Sequence, residues 1–231
     1  MKTLALLCAL ACAAPLFGDG PGVMSSQRAK SDFALTADPN SKNWKKAPSV
    51  IAENNPLGKP VPNHRTEIRS RWTNNNLYFL FICPYENLHL KPNPVLDKDT
   101  WGLWEWDVAE VFIGANLDNI NLYQEFEVSP KGEWIDLDID RAKMNAQGGA
   151  KWDSGFENKT RIDEGNKIWY VEMRIPIGKI DKRKPVAGNE FRLNLYRCQD
   201  KNPGRKYIAW QPTGNPSFHT PKAFGRLRLV K

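Results

Sequence analysis

Apolar and polar residues alternate along most of the chain with the period of a strand. In the segment from Thr66 to Trp72, the residues Ile68, Ser70 and Trp72 share one face and Glu67, Arg69 and Arg71 the other. Residues 77–83 are apolar on both faces, as a central strand is. Asn74, Asn75 and Asn76 supply the turn between the two, because Asn tolerates left-handed backbone. Further strand-like runs fall at 108–113, 122–128, 134–139, 168–175, 191–198, 207–210 and 224–230. In 134–139 the pattern sets Ile135, Leu137 and Ile139 inward and makes Asp136, Asp138 and Asp140 an outward acidic ladder. No segment of a dozen residues keeps a 3.6-residue period, so helix is limited to a few short turns, one of them at 41–46. Around ten short strands separated by turn signals predict an all-β fold, an antiparallel β-sandwich of immunoglobulin or jelly-roll type. It occupies residues 33–231, with 15–32 as a flexible lead-in.

Ahead of the strands, Lys2 is followed by an apolar run over residues 4–14 that contains the small residues Ala11 and Ala13. A positive residue followed by an apolar run of that length reads as a secretory signal peptide over residues 1–14, which places the protein in the periplasm or outside the cell. Acylation of Cys12, giving a lipoprotein, is the lesser alternative. Export leaves Cys83 and Cys198, each at the end of an apolar strand. In an oxidising compartment the two are candidates for a disulfide, the alternative being two buried thiols. His64, His89 and His219 are too scattered for a zinc motif.

Composition narrows the class. The 231 residues are 41% hydrophobic and 26% charged, which excludes a disordered chain. No run reaches the ~20 apolar residues of a membrane-spanning helix. The formal charge of +7 conceals an asymmetry: residues 97–140 hold twelve Asp and Glu against two Lys. The basic residues are spread singly through other strands instead of gathering on one element, so nucleic acid is not the expected partner. The acidic run is the part of the chain densest in oxygen donors. Asp97, Asp99, Asp136 and Asp138 are candidate calcium ligands there, although an acidic ladder beside basic strands explains the same residues.

The segment from Trp101 to Asp107 carries Trp101, Trp104 and Trp106 among acidic residues. Three indoles cannot all enter one core there. Trp101 and Trp106 are expected to cap the end of the sandwich, leaving Trp104 to offer a flat apolar face to a ligand such as a sugar ring. A second loop, 210–221, holds Phe218 in a polar, proline-rich setting.

Four segments together resemble the family 9 carbohydrate-binding modules. They are Asn43 to Ala47, Trp72 to Phe79, Leu103 to Ile113 with its Trp-Glu-Trp-Asp core, and Phe218 to Leu229 with Phe-Gly-Arg-Leu-Arg-Leu at its end. The resemblance implies a β-sandwich that grips the reducing end of a sugar chain between two aromatic side chains, in support of polysaccharide catabolism. By position the clamp is Trp104 and Phe218, the latter standing where the family has Trp. Glu110 corresponds to a carboxylate that reads hydroxyls, and Asn194 and Asn215 to amides. Glu127 stands where the matched pattern has Arg. The resemblance also implies structural calcium in some members, and glycoside hydrolases as partners.

Two other classes compete. A glycosidase needs paired carboxylates, and Asp97, Asp99, Glu105, Asp107 and Glu110 offer candidates, but a Gly-x-Ser-x-Gly, zinc or phosphate-loop pattern is missing. A b-type cytochrome sandwich would need Met144 or Met173 with a histidine. Met173 alternates with Val171 and Ile175, which marks it as core.

Overall fold

Thirteen strands form among the residues described by the structure, a computed structural model covering residues 22–143 and 150–231. The signal-peptide segment 1–14 with Cys8 and Cys12, and Met144, lie outside the described residues. One half of the sheet runs, neighbour by neighbour, through β8 (Ala150–Lys151), β7 (Trp134–Asp140), β6 (Leu122–Val128), β5 (Val108–Gly114), β11 (Glu190–Gln199) and β13 (Gly225–Val230). The other half runs through β3 (Thr66–Trp72), β4 (Asn76–Pro84), β10 (Ile168–Pro176) and β9 (Glu157–Asp163). β12 (Lys206–Ala209) pairs with β11, and β2 (Ser49–Ala52) with β3.

What joins the halves is β1 (Val23–Arg28), which lies between β13 and β3 and is parallel to both. The remaining strand pairings among the described residues are antiparallel. The sequence reading placed these residues in a flexible lead-in, and the structure corrects it. Met24 and Ser26 are buried, and the Ser70 hydroxyl donates to the Ser26 hydroxyl at 2.8 Å. The strand is short and half polar, so it has little periodic signal of its own. Its hydrogen-bonding partners come from distant parts of the chain.

The halves face each other across the main core. Trp72, Phe79, Phe81, Trp169 and Met173 come from one side, and Val111, Ile113, Phe126, Leu193 and Leu227 from the other. Each such side chain contributes ~1.5–3 kcal/mol on burial. Met173 is thus core, as its alternation required. A second apolar cluster covers the opposite face of β5, β6, β7 and β11, and a third, with Trp44, Tyr78 and Leu80, covers the outside of β4. The segment 41–46 makes a single turn, in which Ser41 O accepts from the backbone N–H groups of Trp44 and Lys45, each at 3.0 Å. This turn lowers Trp44 onto β10, where its indole N–H donates to Glu172 at 2.8 Å. The same buried carboxylate accepts from the backbone N–H groups of Thr36 and Ala37, both at 2.7 Å.

Two further readings are corrected. Ile135, Leu137 and Ile139 are buried as expected, but in the second cluster, away from the main core. The aspartate row therefore lies on the main-core side of β7, and the 152–156 segment folds over it. Asp136 is buried there and accepts from both the N–H and the hydroxyl of Ser154. Nor do Cys83 and Cys198 form a disulfide; both are free buried thiols. They belong to non-adjacent strands, Cys83 in the main core and Cys198 on the other face of β11 in the second cluster. Burial holds both thiols well above the ordinary range, Cys83 at about 12.

Alkylation of the native protein should therefore leave the Cys83 and Cys198 peptides unmodified. Both should be modified after unfolding in guanidinium without reductant, and a Cys83–Cys198 cross-linked peptide would contradict the fold. Glu172→Ala should lower the urea unfolding free energy by ~2–4 kcal/mol, because the buried donors of Ala37 and Trp44, and the part-buried N–H of Thr36, lose their common acceptor.

Candidate functional site

Alternation along β5, β6 and β11 determines which side chains reach the face away from the main core. β5 presents Val108, Glu110 and Phe112 there; β6 presents Tyr123, Glu125 and Glu127; β11 presents Asn194, Tyr196 and Cys198. The register sets Glu110 directly opposite Glu127 on one side and Tyr196 on the other. Glu110, Glu125 and Glu127 converge, one oxygen from each lying within 4.8 Å of the others. Their exposures are 2%, 4% and 0%, so solvent does little to screen the repulsion among them. Burial first, and the neighbouring carboxylates second, raise Glu110 and Glu127 far above the usual carboxylate range; burial raises Glu125 too. The Cys198 thiol donates to Glu110 Oε1 at 3.2 Å. Glu125 and Glu127 are hydrogen-bonded to each other through their side chains, which requires a proton on one of them.

Tyr123 and His219 close one side of this floor. The Tyr123 hydroxyl is hydrogen-bonded to His219 Nδ1 at 2.7 Å, and His219 Nε2 faces Glu125 Oε2 at 4.0 Å. Burial brings the His219 pKa down to about 4, so the ring is neutral at neutral pH.

Aromatic side chains rim the floor. Phe218 lies flat on Tyr196, with ring centroids 4.0 Å apart and planes 7° apart, and the Tyr196 hydroxyl donates to Phe218 O at 2.9 Å. Trp104 stands on a short 3₁₀ turn (Leu103–Glu105) and meets Trp101 edge to face at 5.1 Å. Trp104 and Phe218 are both half-buried against the second cluster. Trp101 does not cap the sandwich as expected. It is 45% exposed and extends the aromatic rim, as does Tyr207 at 43%. Trp106 is half-buried against the His89 ring. The Trp104 loop is pinned from behind by Arg205, which donates to Trp104 O at 2.5 Å, Trp106 O at 3.0 Å and Asp200 O at 2.8 Å. Asp107 anchors the other end of the loop, accepting from the N–H groups of His89 and Asp200 and from the Gln199 amide.

The two amides have different duties from those expected. Asn194 is fully buried and engaged: its Oδ1 accepts from the N–H groups of Leu195 and Gln211, and its Nδ2 donates to Tyr196 and to Gln211 O. It fixes the loop after β12 and leaves no group for a ligand. Asn215 shapes the Phe218 loop, accepting from Ser217 N at 2.9 Å and donating to Thr220 at 3.0 Å. Glu110 and Glu127 do reach the face, together with Glu125, Tyr123, Tyr196 and His219. The sequence reading passed these four over, although period-two counting from Glu127 and Asn194 reaches Glu125, Tyr123 and Tyr196.

The suggested calcium ligands Asp97, Asp99, Asp136 and Asp138 do not fit one ion. Asp97 and Asp138 are exposed, Asp138 accepts from Gln124 at 2.8 Å, and Asp136 is engaged by Ser154. A second convergent group, His64, Glu86 and Asp200, already faces an ammonium: Lys206 Nζ lies 2.7 Å from Asp200 and 3.8 Å from Glu86.

An aromatic rim over a polar floor on a sandwich face is a sugar-binding geometry, and comparison with known proteins names the family. The model of the carbohydrate family 9 binding domain-like family matches residues 39–231. The chain belongs to that family. It is 26% identical over 190 residues to endo-1,4-beta-xylanase A of Thermotoga neapolitana, and 26% over 188 residues to that of Thermotoga maritima. Each match covers 81% of this chain but only 16% of the xylanase, so the chain spans about a sixth of those relatives. The fold recurs in a Bacteroides uniformis protein described as a candidate carbohydrate-binding protein, with TM-score 0.71 and 16% identity over 91% of this chain and all of that one. It recurs also in a family 9 module of Caldicellulosiruptor kristjanssonii in complex with cellotriose, with TM-score 0.62 and 15% identity over 90% of this chain and 94% of that one. The glucose complex of the Caldicellulosiruptor kristjanssonii module gives TM-score 0.63 at 15% identity, over 90% and 95%.

Arg205→Met should free three backbone carbonyls and loosen the Trp104 loop. A loss of ~1–3 kcal/mol in urea unfolding is expected, with faster chymotryptic cleavage at residues 101–107. Wild-type cleavage rates would show that the loop holds without the guanidinium.

Proposed function

We propose that this chain is an exported, non-catalytic protein that holds the reducing end of an oligo- or polysaccharide against Trp104 and Phe218. One observation carries the reading. Trp104 and Phe218 pack half-exposed against one apolar cluster, on the face whose buried floor carries Glu110, Tyr196 and Tyr123. A pyranose ring presents an apolar C–H face to an aromatic ring, and the half-exposed aromatic side chains here match that face. Phe218 is stacked on Tyr196, meets Tyr207 edge to face at 5.9 Å, and remains half-exposed. Tyr196 and its hydroxyl bond to Phe218 O hold that ring before any ligand arrives, which limits the ordering cost of binding.

The relatives support β-1,4-linked glucans and xylans as the ligand class: family 9 modules are named with cellotriose and glucose, and both curated relatives are endo-1,4-beta-xylanases. Glycoside hydrolases that open such chains are the proposed partners, since each cut creates a new reducing end for this site.

Titration with cello- and xylo-oligosaccharides tests the reading. Binding should fall when the ligand's reducing end is opened with borohydride, and no new oligosaccharide products should appear on incubation. Trp104→Ala and Phe218→Ala should each weaken binding by ~1–3 kcal/mol, five- to 150-fold, with little change in Tm. Unchanged affinity in both variants would overturn the site, and product formation would favour a hydrolase.

A further inference from the structure

Further along β11, the face that carries the carboxyl floor holds charge of the opposite sign. Phe191, Leu193, Leu227 and Leu229 point into the main core, so Arg192 of β11 and Arg226 of β13 turn to the side of Tyr196 and Phe224. The register sets the two arginines directly opposite each other. Beyond Arg192 stands Gly114 of β5, which brings no side chain, and beyond Arg226 stands Val23 of β1. Like charges paired across two strands oppose folding. A carboxyl in that position can take up a proton, whereas a guanidinium stays charged. The pair also lacks a counter-charge. Arg192 donates to Pro221 O, in the loop that carries Phe218, but its Nε is buried without a hydrogen-bond partner, and so is Arg226 Nη1. Glu190, the acid two residues along β11, is engaged by Arg228, whose Nε and Nη2 both lie 2.7 Å from its Oε1. Neither Arg192 nor Arg226 forms an ion pair among the described residues. Both side chains are half-exposed, which leaves them open to an anion arriving from outside.

We infer that Arg192 and Arg226 form an anion subsite on the sugar-binding face, taking the carboxylate of a uronic acid residue in the bound chain. Two planar guanidinium forks side by side match the two oxygens of a carboxylate, and they supply the counter-charge it needs. Place favours an anion attached to a sugar. Arg192 lies four residues before Tyr196 on one strand, ~13 Å at the strand rise, within the reach of a short oligosaccharide held at Phe218. Through Pro221 the same arginine is tied to the Phe218 loop, so the two parts of the site keep a fixed spacing. The choice of ligand rests on the sugar-binding reading; the unmatched positive pair does not.

The test is calorimetric titration of the protein with xylo-oligosaccharides that carry one glucuronate branch, and with the same compounds after reduction of the carboxyl to an alcohol. The acidic ligand should bind roughly fivefold tighter or more, with the advantage shrinking as salt is raised. Arg226→Gln should remove that advantage and leave binding of the reduced ligand as in wild type. Lys30→Gln, which removes an exposed charge elsewhere, should keep it. Arg226→Gln also relieves repulsion, so without ligand its Tm should equal or exceed that of wild type, which separates loss of a contact from loss of fold. Equal affinity for the acidic and reduced ligands, or an advantage that survives Arg226→Gln, would overturn the inference and leave the sugar reading standing. Inorganic phosphate or sulfate that raises Tm through Arg226, while the acidic oligosaccharide gains nothing over its reduced form, would also overturn it, by showing a site for free oxyanions. Binding of the acidic ligand that needs Arg226 but neither Trp104 nor Phe218 would keep the anion subsite and overturn the clamp. Failure of every oligosaccharide to bind would overturn both.

Discussion

The whole sheet depends on one parallel seam. β1 is six residues long, yet it supplies backbone partners to β13 on one side and β3 on the other. Without it β13 would present an open edge to solvent and β3 would lose its partners at Arg71 and Trp72, since β2 pairs only with Thr66–Arg69, and open edges are the usual starting point for wrong pairing. The two halves would then be tied mainly by side chains. The seam is also tight. A Cβ on Gly225, opposite the start of β1, would lie 2.5 Å from Gly22 O and 2.7 Å from the Trp210 ring, so only glycine fits. A residue without a side chain thus lets the backbone close where the chain's beginning meets its end.

Packing of the two halves of the sheet against each other, with loops on the outer side, gives β5, β6 and β11 two buried faces, and this explains the site. One face belongs to the main core. The other is half apolar, with Phe112, Tyr123, Ile135 and Phe224, and half acidic, with Glu110, Glu125 and Glu127. The apolar part holds the aromatic side chains in place, and the acidic part lies beside them at the register where β5 and β6 pair. Burial, with mutual repulsion at Glu110 and Glu127, pushes these groups toward their neutral acid forms.

Much of the architecture was legible in the linear pattern. Nine of the strands appear as apolar or alternating runs, and the loops carrying Trp104 and Phe218 stood out because large aromatics sit there among polar and proline-rich neighbours. Other features escaped for identifiable reasons. β1 and β9 are largely polar, with no apolar period to reveal them. Asn194 looked like a ligand group because an amide on a strand face carries no sign of its partners, and Gln211, which occupies it, lies 17 residues away. Trp101 and Trp104 are equivalent in sequence, and only packing against Leu103 and the second cluster separates the half-buried indole from the exposed one.

The sequence by itself determined the strand period, the absence of long helices and the placing of aromatics on two loops, because each is encoded within a few neighbouring residues. Only the tertiary structure decided which face of β7 turns toward the main core, that Cys83 and Cys198 lie in separate clusters, and that Glu110, Glu125 and Glu127 meet. Those outcomes depend on the register and order of strands distant in the chain. A shift of one residue in pairing would send every side chain of a strand to the opposite face, and the local pattern cannot say which pairing the folded sheet will select.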